Sequence, residues 1–175
     1  VLGAYPGDPG PPGLDCAGKV AQVSPSVAFV GGEAVFGMAH HGALSAQIAV
    51  LPHAFQPKPT SLTFAAAASL PTLATTVHLA LVDLARVCRG QRVLVHAAAG
   101  GIGLTAISYA HSLGCTVVAT AGAPRKHRFL RKLGIRHIVS SRDALAASSA
   151  LVSGGDGIAV VLNSLSAAFI PLSLA

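Results

Sequence analysis

From residue 92 onward, short β-type runs alternate with stretches whose apolar positions fall at helical spacing. Residues 93–96 read as a strand, and residues 103–113 as a helix closed by Gly114. Residues 116–120 read as a second strand, and residues 126–133 as a second helix closed by Gly134. A short third strand is expected at 137–139, a helix around 144–152, and a fourth strand at 158–162. Strand, helix, strand at this rhythm is the signature of a parallel sheet wound with helices.

The first half has a different texture. Residues 5–13 form a loop by their Pro and Gly content. Strand-like runs follow at 18–23, 32–37 and 45–50, with turns at Ser24-Pro25 and His40-His41-Gly42, which predicts a β-rich lobe. Residues 51–59 carry three prolines and read as a linker or edge segment. A helix over 64–70 with Ser61 as its cap, and a second opened by Pro71 and reaching 85, complete this half. The expected division is 1–70 and 71–175.

Composition narrows the classes. Hydrophobic residues make up 52% and charged residues 10%, ample for a core and too apolar for a disordered chain. Cys16, Cys88 and Cys115 are odd in number and lack C-x-x-C spacing, so they read as buried or half-buried thiols of a reducing compartment. No signal-peptide pattern stands at Val1, which points to the cytoplasm or an organelle. Residues 59–82 have no formal charge, but Pro71, His78 and several hydroxyls make a poor membrane span; buried helices beside a cofactor cleft are expected instead. The chain does not begin with Met and stops in an apolar run after the fourth strand, where a doubly wound fold usually has six; it reads as a fragment.

Net charge is +6, and seven of the twelve Lys and Arg lie between Arg125 and Arg142. Phe129 is the only ring among them, so no aromatic platform for nucleic acid is present and nucleic acid is not an expected partner.

The chemistry sits in Ala97-Ala98-Ala99-Gly100-Gly101-Ile102-Gly103, between predicted strand and predicted helix. Small residues let a backbone pass close to a pyrophosphate, and the helix N-terminus offers free N–H groups and a positive dipole end. The spacing Ala98-x-Gly100-x-x-Gly103 is common, and its strand–helix context is what makes it a dinucleotide site. NAD-binding folds usually carry an acid after the second strand. Here Thr120-Ala121-Gly122 has none, and Arg125, Lys126 and Arg128 follow. Such cations pair with a 2′-phosphate, so NADPH is the expected cofactor. Arg142, after the third strand, could join them. Arg131, Lys132 and Arg136 read as a solvated helix face.

Residues 93–103, with Leu2-Gly3-Ala4-Tyr5-Pro6-Gly7-Asp8, Cys16-Ala17-Gly18, Leu81-Val82-Asp83-Leu84-Ala85, Ala119-Thr120-Ala121-Gly122 and Leu162-Asn163-Ser164-Leu165, resemble the enoyl reductase domains of polyketide and animal fatty acid synthases. These form a zinc-free branch of the medium-chain dehydrogenase/reductase superfamily. The resemblance runs along essentially the whole chain. It implies an α/β fold: a partial GroES-like substrate lobe followed by a partial Rossmann lobe. It also implies hydride transfer from NADPH to the β-carbon of an enoyl thioester on the phosphopantetheine of an acyl carrier protein. Neighbouring synthase domains would be partners, and the parent synthase would be a homodimer.

By position, Thr76 matches a nicotinamide contact, and Ala98, Gly100, Gly101, Ile102 and Gly103 the pyrophosphate loop. Arg125, Lys126, Ser141 and Arg142 match the 2′-phosphate region, and Asn163 stands in the cofactor-side motif after the fourth strand. Zinc is not expected, because Leu14-Asp15 stands where zinc-dependent relatives have Gly-His-Glu. The family's paired tyrosines are replaced around His78, and its proton donors have no counterpart, so no catalytic acid is assigned. Two other readings stand beside this one: a free-standing quinone or enone reductase of the same superfamily, and a degenerate module retained for structure.

Overall fold

The computed structural model describes residues 10–40, 42–141 and 157–164. It divides into two compact units, Val1–Leu73 and Ala74–Ala175.

The first unit is built on an antiparallel sheet, β1 (Asp15–Lys19), β2 (Ala34–Met38) and β3 (Phe55–Pro57), in that order. In β2 the pleat turns Val35 and Gly37 inward while Ala34, Phe36 and Met38 are half-buried, the period expected of a strand. Gly37 is required there. A Cβ at this position would fall onto the Ala54 carbonyl oxygen and within 2.8 Å of the Phe55 ring, which is itself 5% exposed. The run 45–50 alternates like a strand but stays exposed apart from half-buried Ile48, and it forms none. The third place goes instead to Phe55–Pro57, within the segment expected to be a linker, because Phe55 supplies the large ring that β2 leaves room for.

A short helix, α1 (Phe64–Ala67), is capped by Thr63, whose Oγ1 accepts from the Ala66 N–H at 3.1 Å; Ser61 was the expected cap. The next helix, α2 (Pro71–His78), is held at its start by Asp15 of β1. That carboxylate accepts from the Thr72 N–H at 3.1 and 3.2 Å and from the Thr72 hydroxyl at 2.5 Å. An acid at a helix N-terminus satisfies orphan donors and complements the dipole. At Leu79–Leu84 the helix widens into π geometry, with Ala85 N–H donating to the Ala80 carbonyl.

By length and composition alone, Phe64–Leu84 could cross a membrane. Within it only Ala67, Pro71, Val77 and Leu81 are buried, whereas Phe64, Leu79 and Leu84 are exposed. The buried helices expected here are thus buried only at these four positions and exposed over much of their surface.

The second unit is a parallel sheet: β4 (Arg92–Val95), β5 (Thr116–Ala121), β6 (His137–Ser140) and β7 (Val160–Leu162), ordered β6-β5-β4-β7. Helices α3 (Gly101–Ser112) and α4 (Pro124–Lys132) follow β4 and β5. Val93, Val95, Val117 and Ala119 pack with Ala106, Ile107 and Ala110 of α3 and Leu130 of α4. The expected architecture, a β-rich lobe and then a wound parallel sheet, is the one found. The helix expected at 144–152 lies outside the described residues. Of the cysteines, Cys16 is half-buried and Cys115 buried, but Cys88 is exposed, against expectation. Burial pushes the Cys16 and Cys115 thiols up, which keeps them protonated.

Candidate functional site

The strand order places the site. From β4 the chain winds to β5 and β6 on one side, and β7 lies on the other. Ligands of open α/β sheets bind at the carboxyl ends of the strands where the order reverses in this way. At that point the chain leaves β4 through His96–Gly100 and enters α3.

The loop is pinned to both neighbouring strands. His96 N–H donates to the Leu162 carbonyl at 3.0 Å, and Ala98 N–H donates to the Thr120 carbonyl at 2.9 Å. The His96 ring is 5% exposed, and its Nδ1 shares a 3.1 Å hydrogen bond with the Thr120 hydroxyl. Ala97 takes a left-handed conformation, φ 47°, which costs a residue with a Cβ about 1 kcal/mol and turns the chain so that Gly100 N–H reaches the Ala97 carbonyl at 2.8 Å. Sequence reasoning did not single out His96. Its signal was a polar residue closing an apolar strand directly before the glycine loop.

The expected loop residues divide into two sets. Gly100 and Gly101 are exposed and Ile102 is half-buried; they form the N-terminus of α3, where no side chain caps the helix. The Gly100 N–H is taken by the Ala97 carbonyl, and the N–H groups of Gly101 and Ile102 in the first turn suit an anion. Ala98 and Gly103 are buried against each other. A Cβ on Gly103 would stand 2.5 Å from Ala98 Cα and 2.6 Å from its carbonyl atoms. Gly103 therefore seats the helix on the loop, and Ala98 is fully enclosed beneath it.

The end of β5 carries no carboxylate, and α4 begins two residues later with Pro124, Arg125 and Lys126. Both cations are exposed, and the first turn holds no acid. Cations at a helix N-terminus oppose the dipole by about 0.3–1 kcal/mol each. The arrangement makes sense as a concentrated anion site in which dipole and side chains carry the same sign. His127, also not singled out from sequence, fixes this turn: its Nε2 donates to the Ala121 carbonyl at 2.6 Å. Ser141 N–H donates to the same carbonyl at 3.2 Å, bringing the end of β6 to the end of β5. Arg142 lies outside the described residues. Asn163 is half-buried next to Leu162, whose carbonyl holds His96. Thr76 is exposed on α2. Among the described residues no hydrogen bond joins it to the loop, and His78 Nε2, which stands 3.7 Å from Asp83 Oδ1, is exposed with its partner.

Burial holds the His96 imidazole below its ordinary pKa, so the ring is neutral at pH 7. The unfolded chain then takes up the proton first as pH falls. The stability carried by neutral His96 is complete above about pH 6.5 and declines below it, toward the lowered folded pKa. Urea midpoints of the complete domain should fall between pH 7.5 and 5.5, and His96→Gln should flatten that dependence. An unchanged slope in His96→Gln would show that another group controls it.

Among the described residues, no three His, Cys, Asp or Glu side chains form a set that could hold a metal ion. The described residues therefore do not fit zinc. They do fit a dinucleotide, through an uncapped helix start, a loop of small residues on which Gly103 closes without room for a Cβ, and cations beyond the second strand.

A family model described as "Zinc-binding dehydrogenase" matches residues 101–175. Erythronolide synthase EryA2 of Saccharopolyspora erythraea is 45% identical over 170 residues, which is 94% of this chain and 5% of that protein. The solved CurK enoyl reductase is 39% identical with a TM-score of 0.85, over 92% of this chain and 49% of that one. A mycobacterial protein solved in complex with NADPH is 29% identical with a TM-score of 0.81, over 93% of this chain and 52% of that one. The chain thus spans about half the length of the solved relatives and a small part of the synthase it matches.

Proposed function

Because the chain belongs to the medium-chain dehydrogenase/reductase superfamily, as an enoyl reductase of the kind found in polyketide synthases, we propose that it binds NADPH and serves reduction of an enoyl thioester. The observation that carries the reading is the pairing of two helix starts, neither capped by a side chain nor carrying an acid, at the carboxyl edge of one sheet. The start of α3 takes the pyrophosphate on the N–H groups of Gly101 and Ile102. The start of α4, with Arg125 and Lys126 and no acid in its first turn, takes the 2′-phosphate, with Ser141 alongside, and Arg142 is assigned to the same phosphate from its place in the sequence.

When bound, NADPH supplies a hydride to the β-carbon of the unsaturated thioester. This chain's part is to hold and aim. His96 and Thr120 fix the loop between β5 and β7, so that the α3 donors stand ready before the ligand arrives. Thr76 and Asn163 are assigned to the nicotinamide end. The substrate is a thioester on the phosphopantetheine of an acyl carrier protein, with neighbouring synthase domains as further partners.

The test is NADPH titration of the complete reductase domain, following nicotinamide fluorescence and the unfolding midpoint. Binding should enhance fluorescence and, at a hundredfold excess over Kd, add about 2.7 kcal/mol of stability. Neither effect would be seen in a module retained only for structure.

A further inference from the structure

The outer face of α4 carries chemistry that cofactor binding leaves unused. Leu130, fully buried, marks the side of α4 that packs on its own unit. On the opposite side Arg128 and Lys132 are exposed, and beside them Phe129 and Leu133 are 44% and 46% exposed. Residues four apart share one side of a helix, so the ring and the isobutyl group form one apolar ridge. Arg131 and Arg136 are exposed as well. None of these cations has a hydrogen bond or ion pair among the described residues.

Each half of this pattern is unfavourable in isolation. Like charges a turn apart on a helix repel by a few tenths of a kcal/mol per pair, and here no interspersed acid offsets them. An open phenylalanine beside an open leucine adds apolar area that water disfavours. Together they match the anatomy of a protein interface, an apolar centre with a charged rim. The rim is cationic, so the complementary surface is acidic. Nucleic acid fits less well, since Phe129 is the only Phe, Tyr or Trp in the basic stretch and Leu133 offers no ring.

Where the chain corresponds to 5% of a synthase, the rest of that polypeptide is tethered to it at high effective concentration. A weak surface then suffices for docking.

We infer that Phe129 and Leu133, rimmed by Arg128 and Lys132, form the docking surface for an acidic amphipathic helix of another domain in the same synthase polypeptide. This rests on the reading of the chain as one stretch of a synthase. The partner helix places an apolar side chain between Phe129 and Leu133 and sets carboxylates against the two cations.

The experiment uses the intact synthase and a carbodiimide, which joins a lysine amine directly to a carboxylate. Lys132 is the reporter, and Phe129→Gln, at an exposed position, is the perturbation. Lys132 should join to an Asp or Glu on a helix of another domain. The yield should fall about tenfold in Phe129→Gln, as for loss of an interface anchor, and should fall in about 1 M salt. NADPH affinity should stay within about twofold of wild type in Phe129→Gln, because Phe129 is not assigned to the cofactor. The inference is overturned if Lys132 joins nothing, joins only a second copy of residues 1–175, or joins equally well in Phe129→Gln. It is likewise overturned if a 20-nucleotide single-stranded DNA binds the synthase through Phe129. Failure of wild type to bind NADPH would instead refute the reductase reading, and the cross-link would still be scored.

Discussion

Gly103→Ala in the complete reductase domain is expected to lose about 2–3 kcal/mol of stability and to weaken NADPH binding tenfold or more. Helix propensity alone argues the other way, since alanine in place of glycine gains about 1 kcal/mol inside a helix. Contact geometry outweighs propensity here. The added methyl would stand 2.5–2.6 Å from Ala98 backbone atoms, against about 3.5–4.0 Å for comfortable carbon contacts. Ala98 cannot yield easily, because it is fully buried and its N–H is held by Thr120. The start of α3 must move instead, and with it the N–H groups of Gly101 and Ile102. Gly100→Ala is the control. Its Cβ would meet only the Ala97 carbonyl oxygen, at 3.3 Å, so stability should change by less than about 1 kcal/mol. Urea unfolding and NADPH titration of both variants check this, and equal losses would show that the Gly103 contact is not what matters.

Lys126→Glu is expected to move stability and cofactor affinity in opposite directions. The lysine stands in the first turn of α4, where the dipole favours acids and where Arg125 is already present. A glutamate there should add about 0.3–1 kcal/mol of stability. The same change removes a cation from the 2′-phosphate and puts a like charge beside it. NADPH affinity should fall about 10- to 100-fold, the value of one or two charge-assisted hydrogen bonds, while NADH affinity stays within about twofold. Parallel titrations with the two nucleotides decide the matter. Equal losses for both would show that Lys126 does not read the 2′-phosphate, and a loss of stability would show that the lysine holds the fold.

Much of this was legible in the chain. The wound strands and helices appear because apolar periodicity is a local property, and the glycine loop appears because it sits between a strand and a helix. Boundaries were less legible. The helix beginning at Gly101 starts two residues before the pattern suggests, since small residues leave no apolar mark. The run 45–50 imitates a strand, but alternation cannot report whether a partner waits on one face. Phe55–Pro57 hides its pairing behind prolines, and the room left by Gly37 decides in its favour.

Neighbours along the chain were enough to reveal the alternating strands and helices of the second unit, the missing acid after β5 and the cations that follow it. It took the folded chain to separate the loop glycines by role, with Gly100 and Gly101 open and Gly103 closed onto Ala98. It alone brought His96 to Thr120, Asp15 to Thr72 and His127 to Ala121. The physical reason is range. Periodicity and turn chemistry act over a few residues, whereas a buried hydrogen bond or a missing Cβ acts across whatever distance the fold has closed.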